Sequence, residues 1–115
     1  FTVARKLAAF CEFMGVRTAW HGPGDVSPVG HAANMHLDLA SPNFGIQELS
    51  LMGDELREVF PGTPEVHDGA MWANDRPGWG VDIDEAKAAR YPFEEEPGNG
   101  YWPEIRRLDG TVIKP

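Results

Sequence analysis

The stretch Val16-Arg17-Thr18-Ala19-Trp20-His21-Gly22-Pro23-Gly24-Asp25-Val26-Ser27-Pro28-Val29 decides the fold. Val16 to Trp20 is short and β-prone, which predicts a buried strand. His21 to Asp25 holds two glycines and a proline in five positions and must be loop. Ser27-Pro28 is a helix-start signal. Ser27 caps, and Pro28 fits the first helical position, where its missing N–H costs nothing. The helix is predicted to run to about Leu39, with Val29, Ala32, Ala33, His36, Leu37 and Ala40 as its packing face. Ser41-Pro42 ends it. Asn43 to Gln47 reads as a second strand, and Glu48 stands at its C-terminal end.

Working outward, residues 2–14 read as an amphipathic helix. Val3, Leu7, Phe10, Cys11 and Met14 fall on one stripe, and Cys11 is read as core. Gly15 is the C-terminal cap. Residues 2–48 therefore run helix, strand, loop, helix, strand, and two strands joined by a helix make a right-handed parallel crossover. A parallel sheet needs both faces covered, so this α/β unit is expected to be part of a larger barrel or sheet, with its preceding strands outside this sequence.

The pattern then weakens. Leu49 to Phe60 reads as loop with one helical turn, and Pro61 to Gly69 as turn, strand, turn. Met71 to Trp79 reads as turn-rich. Asp84 caps a short helix over Glu85 to Arg90, stopped before Pro92. Residues 93–100 read as acidic loop, followed by extended pieces at Tyr101 to Ile105 and Thr111 to Ile113 around the turn Leu108-Asp109-Gly110.

Among the 115 residues Gly is 13 and Pro is 10, a fifth of the chain against an ordinary share of ~12%. Most lie after residue 60, as expected of an irregular segment packed on something else. The net charge of −8 argues against a nucleic-acid binder, which needs a basic face, and against an anionic membrane partner. No apolar run approaches the ~20 residues that span a bilayer, and the first residues lack the order of a signal peptide. One cysteine, Cys11, forms no intrachain disulfide, so a cytoplasmic location is the default.

In parallel α/β architectures, ligands bind beyond the carboxyl ends of the strands. His21 follows the first strand, Asp25 is four positions on, and Glu48 follows the second strand. A histidine and two carboxylates at one rim can hydrogen-bond a polyhydroxylated ligand or move protons. Each also has a plainer role open to it: His21 as a loop-stabilising hydrogen-bonder, Asp25 as a turn initiator, Glu48 as a solvated strand end. Other constellations carry less. His31 and His36 are five apart and do not share a helical face for metal ligation. Asp82-Ile83-Asp84-Glu85 resembles a calcium-loop start but lacks the glycine and distal glutamate. Gly22-Pro23-Gly24 is no phosphate-loop fingerprint, and Ser27 has no glycine elbow. Trp72, Trp79, Tyr101 and Trp102 read as packing residues.

The run Gly15 to Asn34 resembles the mannonate dehydratase branch of the enolase superfamily. So do Pro42-Asn43-Phe44-Gly45-Ile46-Gln47-Glu48, Gly80-Val81-Asp82-Ile83-Asp84-Glu85-Ala86, and Trp102 to Thr111. The resemblance implies the C-terminal part of an enolase-type (β/α)7β TIM barrel. Residues 1–48 would be its last two βα units. Residues 49–115 would be a Gly/Pro-rich extension packing on the barrel and capping domain. It implies a lyase: a Mg2+-dependent dehydratase that removes the proton beside the carboxylate of D-mannonate, and of D-gluconate in some members, and expels the neighbouring hydroxyl to give 2-keto-3-deoxy-D-gluconate. The metal ligands, the Tyr/Arg base and the His acid are expected upstream, with no metal ligand in this segment. By motif match, His21, Asp25 and Glu48 are substrate-binding, and a proton-transfer role for His21 stays open. The expected partners are a small sugar acid, the rest of its own barrel and capping domain, and a second copy in a homo-oligomer. Pro23 stands where the family varies between alanine and proline; proline goes with poor dehydration or broader sugar-acid use. Two rivals remain: a non-catalytic homologue with a starvation-response or regulatory role, and a free-standing ligand-binding domain.

Overall fold

The computed structural model describes residues 1–92 and Asp109. The tail pieces expected at 93–108 and 110–115, with Tyr101 and Trp102, lie outside the described residues.

The first helix, α1 (Thr2–Phe13), ends as its glycine dictates. Gly15 takes φ 68°, its N–H donates to the Glu12 carbonyl at 3.0 Å, and the Val16 N–H reaches back to the Cys11 carbonyl at 2.8 Å. This is the Schellman arrangement that only a left-handed residue closes without strain. The expected apolar stripe is present but uncovered: Val3, Leu7, Phe10 and Met14 are exposed, and Cys11 is half-buried rather than core. Nothing among the described residues packs over that face. The buried side chain of α1 is Ala8, whose carbonyl accepts from the Asn43 side chain at 3.1 Å. The same Asn43 nitrogen donates to the Val16 carbonyl at 2.8 Å, tying the helix end to the second strand.

Strand β1 (Thr18–Trp20) and strand β2 (Phe44–Gln47) pair in parallel, as the crossover requires. Thr18 faces Phe44, but Ala19 faces Ile46 and Trp20 faces Gln47. Gly45 is thus an extra residue in β2, a bulge. Its glycine is required, because a Cβ there would lie 2.5 Å from the Thr18 carbonyl oxygen.

Between the strands runs α2 (Pro28–Leu39). Ser27 Oγ accepts from the Gly30 N–H at 3.2 Å and Pro28 opens the helix, as its residues predict. The inward face differs from the expected one. Pro28, His31, Ala32, Met35, Leu37 and Asp38 are buried, whereas Ala40 is exposed and Val29, Ala33 and His36 are only partly covered. Met35 and Leu37 bury side chains worth about 1.5–3 kcal/mol each. That gain offsets the cost of enclosing His31 and Asp38, whose polar identity hid them from an apolar-stripe reading.

Beyond Glu48, α3 (Asp54–Val59) and α4 (Glu85–Ala88) are joined by the ion pairs of Glu58 with Lys87 and Arg90. Asp84 caps α4 through the Lys87 N–H at 3.0 Å. Strands β3 (Glu65–His67) and β4 (Ala70–Trp72) form a hairpin through Asp68-Gly69. Both turn residues have positive φ, 53° and 73°, the geometry that Asp-Gly favours in a two-residue turn. The β4 strand corrects the turn-rich reading of Met71 onward: three residues are too few to show alternation. Trp72 stacks on His67, and Trp79 contacts Phe1 and His36, yet both tryptophans stay exposed.

Burial sets two opposed pH dependences in α2. Burial raises the Asp38 carboxyl from 3.8 to about 6, and its Oδ1 has no partner. The folded state therefore binds the proton more tightly, and this contribution to stability falls as pH rises from about 4 through 6. Burial lowers His31 below 6.5, so its contribution is lost as pH falls below 6.5. Asp38→Asn should raise the melting temperature by a few degrees at pH 8 and leave it unchanged near pH 4. Melting curves at the two pH values check this; an equal shift at both would show that ionisation is not the cause.

Candidate functional site

The parallel pairing places His21 and Glu48 side by side, because each is the first residue after its strand. The ladder continues past the strand ends. The Glu48 N–H donates to the Trp20 carbonyl at 3.1 Å, and the Ser50 N–H to the Gly22 carbonyl at 3.0 Å. Gly22 lies hard against the segment that follows β2: a Cβ on it would fall 2.0 Å from the Glu48 carbonyl oxygen. Only a residue without a side chain lets the two loops approach this closely.

That approach lets one carboxylate oxygen hold two groups. Glu48 Oε2 accepts from the Gly22 N–H at 3.0 Å and lies 3.3 Å from His21 Nε2. Both side chains remain open to solvent, His21 at 78% and Glu48 at 57% exposure. The pair is therefore a prepared but accessible surface of donors and acceptors. Gln47 steadies the strand end by donating to the Trp20 and Glu48 carbonyls at 3.3 and 2.6 Å.

Asp25 sits exposed on the same loop. Among the described residues it makes no hydrogen bond or ion pair with His21 or Glu48, so the structure brings two of the three expected residues into contact and leaves the third four positions away. The loop folds back on itself, with the Val26 N–H donating to the Pro23 carbonyl at 3.0 Å. A cavity of about 390 Å³ opens elsewhere, between α2, β2 and the β3–β4 hairpin, lined by residues such as Met35, Asp38, Ile46 and Met71. None of His21, Asp25 or Glu48 lines it. Among the described residues no three His, Cys, Asp or Glu side chains gather to hold a metal ion. Nor is any described helix long and apolar enough to cross a membrane.

Residues 1–87 match the family profile described as enolase C-terminal domain-like. The chain belongs to this family. It is 62% identical over 114 residues to a D-galactonate dehydratase family member of Salmonella enteritidis, covering 99% of this chain and 27% of that protein. It is 60% identical to another from Pantoea ananatis, again over 27% of its length. Among solved structures it matches an enolase from Pantoea ananatis with bound D-gluconate and magnesium. The TM-score is 0.83 at 60% identity, over 99% of this chain and 27% of that one. A mandelate racemase/muconate lactonizing enzyme from Jannaschia sp. CCS1 matches at TM-score 0.67 and 28% identity, over 79% and 23%. The chain thus spans about a quarter of the length of these relatives, and its fold is that of enolase-superfamily TIM-barrel proteins. The enolase-type α/β fold expected from the residues is the one found.

Reading Gly22 only as a loop former misses its close approach to Glu48, for which a glycine directly after a strand end is the signal. Reading His31 only as a possible metal ligand misses that it faces inward on α2, for which its phase with Pro28, Met35 and Asp38 is the signal.

Gly22→Ala should drive the two loops apart, costing about 1–3 kcal/mol in stability as other overpacked sites do and breaking the His21–Glu48 contact. Urea unfolding and a structure of the variant check both; an unchanged loop would overturn the steric argument.

Proposed function

We propose that this chain supplies part of the sugar-binding rim of a Mg2+-dependent sugar-acid dehydratase. The reaction removes the proton beside the carboxylate and expels the neighbouring hydroxyl, so that D-mannonate, or D-gluconate, loses one water to give 2-keto-3-deoxy-D-gluconate. The observation that carries the reading is the His21–Glu48 pair at the carboxyl ends of adjacent parallel strands. That zone is where barrel enzymes of this kind bind their ligands. A relative at 60% identity with bound D-gluconate and magnesium supports the substrate class and the metal. D-mannonate rests on the motif resemblance alone.

In this reading His21 and Asp25 hydrogen-bond substrate hydroxyls or carboxylate. Glu48 holds the imidazole in place and offers its second oxygen to the sugar. The His21 imidazole is also available to exchange a proton with a substrate hydroxyl. In this reading the metal ligands, the principal acid and the principal base are assigned to residues upstream of this segment. Residues 1–48 would be the last two βα units of the barrel. Residues 49–115 would be an extension packing on barrel and capping domain, and the remaining barrel would cover the exposed stripe of α1. Assembly as a homo-oligomer and a cytoplasmic location belong to the same reading.

Pro23 favours a slow enzyme. Proline fixes φ and removes an N–H in the loop that presents His21. A regulatory homologue without turnover is the alternative.

The test is to mix the full-length protein with Mg2+ and D-mannonate, D-gluconate or D-galactonate and assay for a 2-keto-3-deoxy product. Product is expected with at least one of them; none at all favours the regulatory alternative. His21→Asn should lower kcat/KM by about 10- to 100-fold, the scale of losing a hydrogen bond to a charged or reacting group, with the melting temperature unchanged. Unaltered turnover would remove His21 from the site. Pro23→Ala should raise kcat; a lower or equal kcat would discard the account of the loop.

A further inference from the structure

We propose that Gln47 is a positioning residue: its side-chain amide takes the place of the Gly22 N–H at the Glu48 carbonyl, and so releases that N–H to hold the Glu48 carboxylate beside His21. The inference rests on the sugar-binding reading for its kinetic consequence, but not for its geometry.

The seam beyond β1 and β2 contains one exchanged bond. In a parallel ladder, the N–H and C=O of a residue bond to the two residues that flank its neighbour. Glu48, level with His21, should therefore donate to the Trp20 carbonyl and accept from the Gly22 N–H. The first of these bonds is present at 3.1 Å, and the next along the seam, from the Ser50 N–H to the Gly22 carbonyl, is present at 3.0 Å. Between them the Gly22 N–H donates to Glu48 Oε2 at 3.0 Å, and not to the Glu48 carbonyl. A slip in register does not account for this, because the bonds on either side are regular.

The carbonyl left open has another donor. Gln47 Nε2 donates to it at 2.6 Å and to the Trp20 carbonyl at 3.3 Å. A primary amide carries two N–H groups, one for each acceptor. Both partners are carbonyl oxygens, which fixes the amide with its nitrogen toward the seam. A Cβ on Gly22 would lie 3.0 Å from this same nitrogen, so the amide sits directly against the residue whose N–H it replaces.

The opposite end of the amide contributes nothing. Gln47 Oε1 is buried with no partner among the described residues, a cost that an apolar side chain of the same length would avoid. What glutamine adds over such a residue is its pair of donors. Without them the Glu48 carbonyl becomes the open acceptor, and the Gly22 N–H returns to it. The carboxylate then loses its main-chain anchor. Its Oε2, 3.3 Å from His21 Nε2, would be held only by an exposed contact, which is too weak to fix a side chain.

The test is the crystal structure and the kinetics of the full-length protein carrying Gln47→Met, a side chain of similar length without a donor. The Gly22 N–H is expected within about 3.2 Å of the Glu48 carbonyl oxygen, with Glu48 Oε2 out of reach of Gly22. The KM for the sugar acid turned over should rise about tenfold with kcat within about threefold of parent, the pattern of a lost binding contact. The melting temperature should stay within a few degrees of parent. A Gly22 N–H still on Glu48 Oε2 in the variant overturns the proposal, as does a KM within about twofold of parent. If the parent turns over no sugar acid, the proposed function fails, and the crystal structure alone decides for or against Gln47. Should Gln47→Met not fold, Gln47→Leu takes its place, and a second failure to fold assigns Gln47 to the core and overturns the proposal.

Discussion

The structure depends on the parallel seam between β1 and β2 continuing past the strands into the loops. Backbone pairing does not stop at Trp20 and Gln47; it carries on through Glu48 and Ser50 to the carbonyls of Trp20 and Gly22. That continuation lets a glutamate side chain reach a neighbouring loop N–H and an imidazole at once. Main-chain hydrogen bonds fix geometry without side-chain entropy, so the sheet sets where the donors and acceptors of the rim stand. The His21–Glu48 pair is solvent-facing and contributes modestly to stability. Its value is orientation.

The seam is supported from one side by α2, whose inner face mixes apolar and titratable groups. Met35 and Leu37 supply the favourable burial, while His31 and Asp38 work against it. A helix that needed only to pack on a sheet would carry leucine or valine at such positions. The opposing directions of the two shifts mean that Asp38 costs the fold most as pH rises and His31 most as pH falls.

Much of this architecture was legible in the residues. Gly15, the Ser27-Pro28 start and Asp84 each announce a helix boundary by a local mechanism, a left-handed cap or a side-chain acceptor, and such mechanisms act the same way in any surroundings. The strands at Val16 to Trp20 and Asn43 to Gln47 were legible from β-prone residues bounded by loops, and their ends placed His21 and Glu48 at one edge. What was not legible depends on partners far away in the chain. The inward face of α2 turns on which side the sheet lies, and periodicity that counts only apolar residues passes over His31 and Asp38. The stripe of α1 was visible as a pattern, but its cover cannot be read from the helix itself. The contact of Gly22 with Glu48 joins positions 26 residues apart, beyond the reach of any local rule. The strand at Ala70 to Trp72 is defined by its partner across the Asp68-Gly69 turn more than by its own composition.

The bulge at Gly45 has a consequence for the rim's chemistry. Side chains alternate along a strand, so parity decides which residue stands beside which. With the extra residue in β2, Trp20 is level with Gln47 and the next step sets His21 beside Glu48. Were Gly45 paired in regular register with Ala19 instead of bulged out, His21 would stand level with Gln47, an uncharged amide. The bulging of one glycine, three positions upstream of the acid, thus determines whether the imidazole meets an acid or a neutral neighbour.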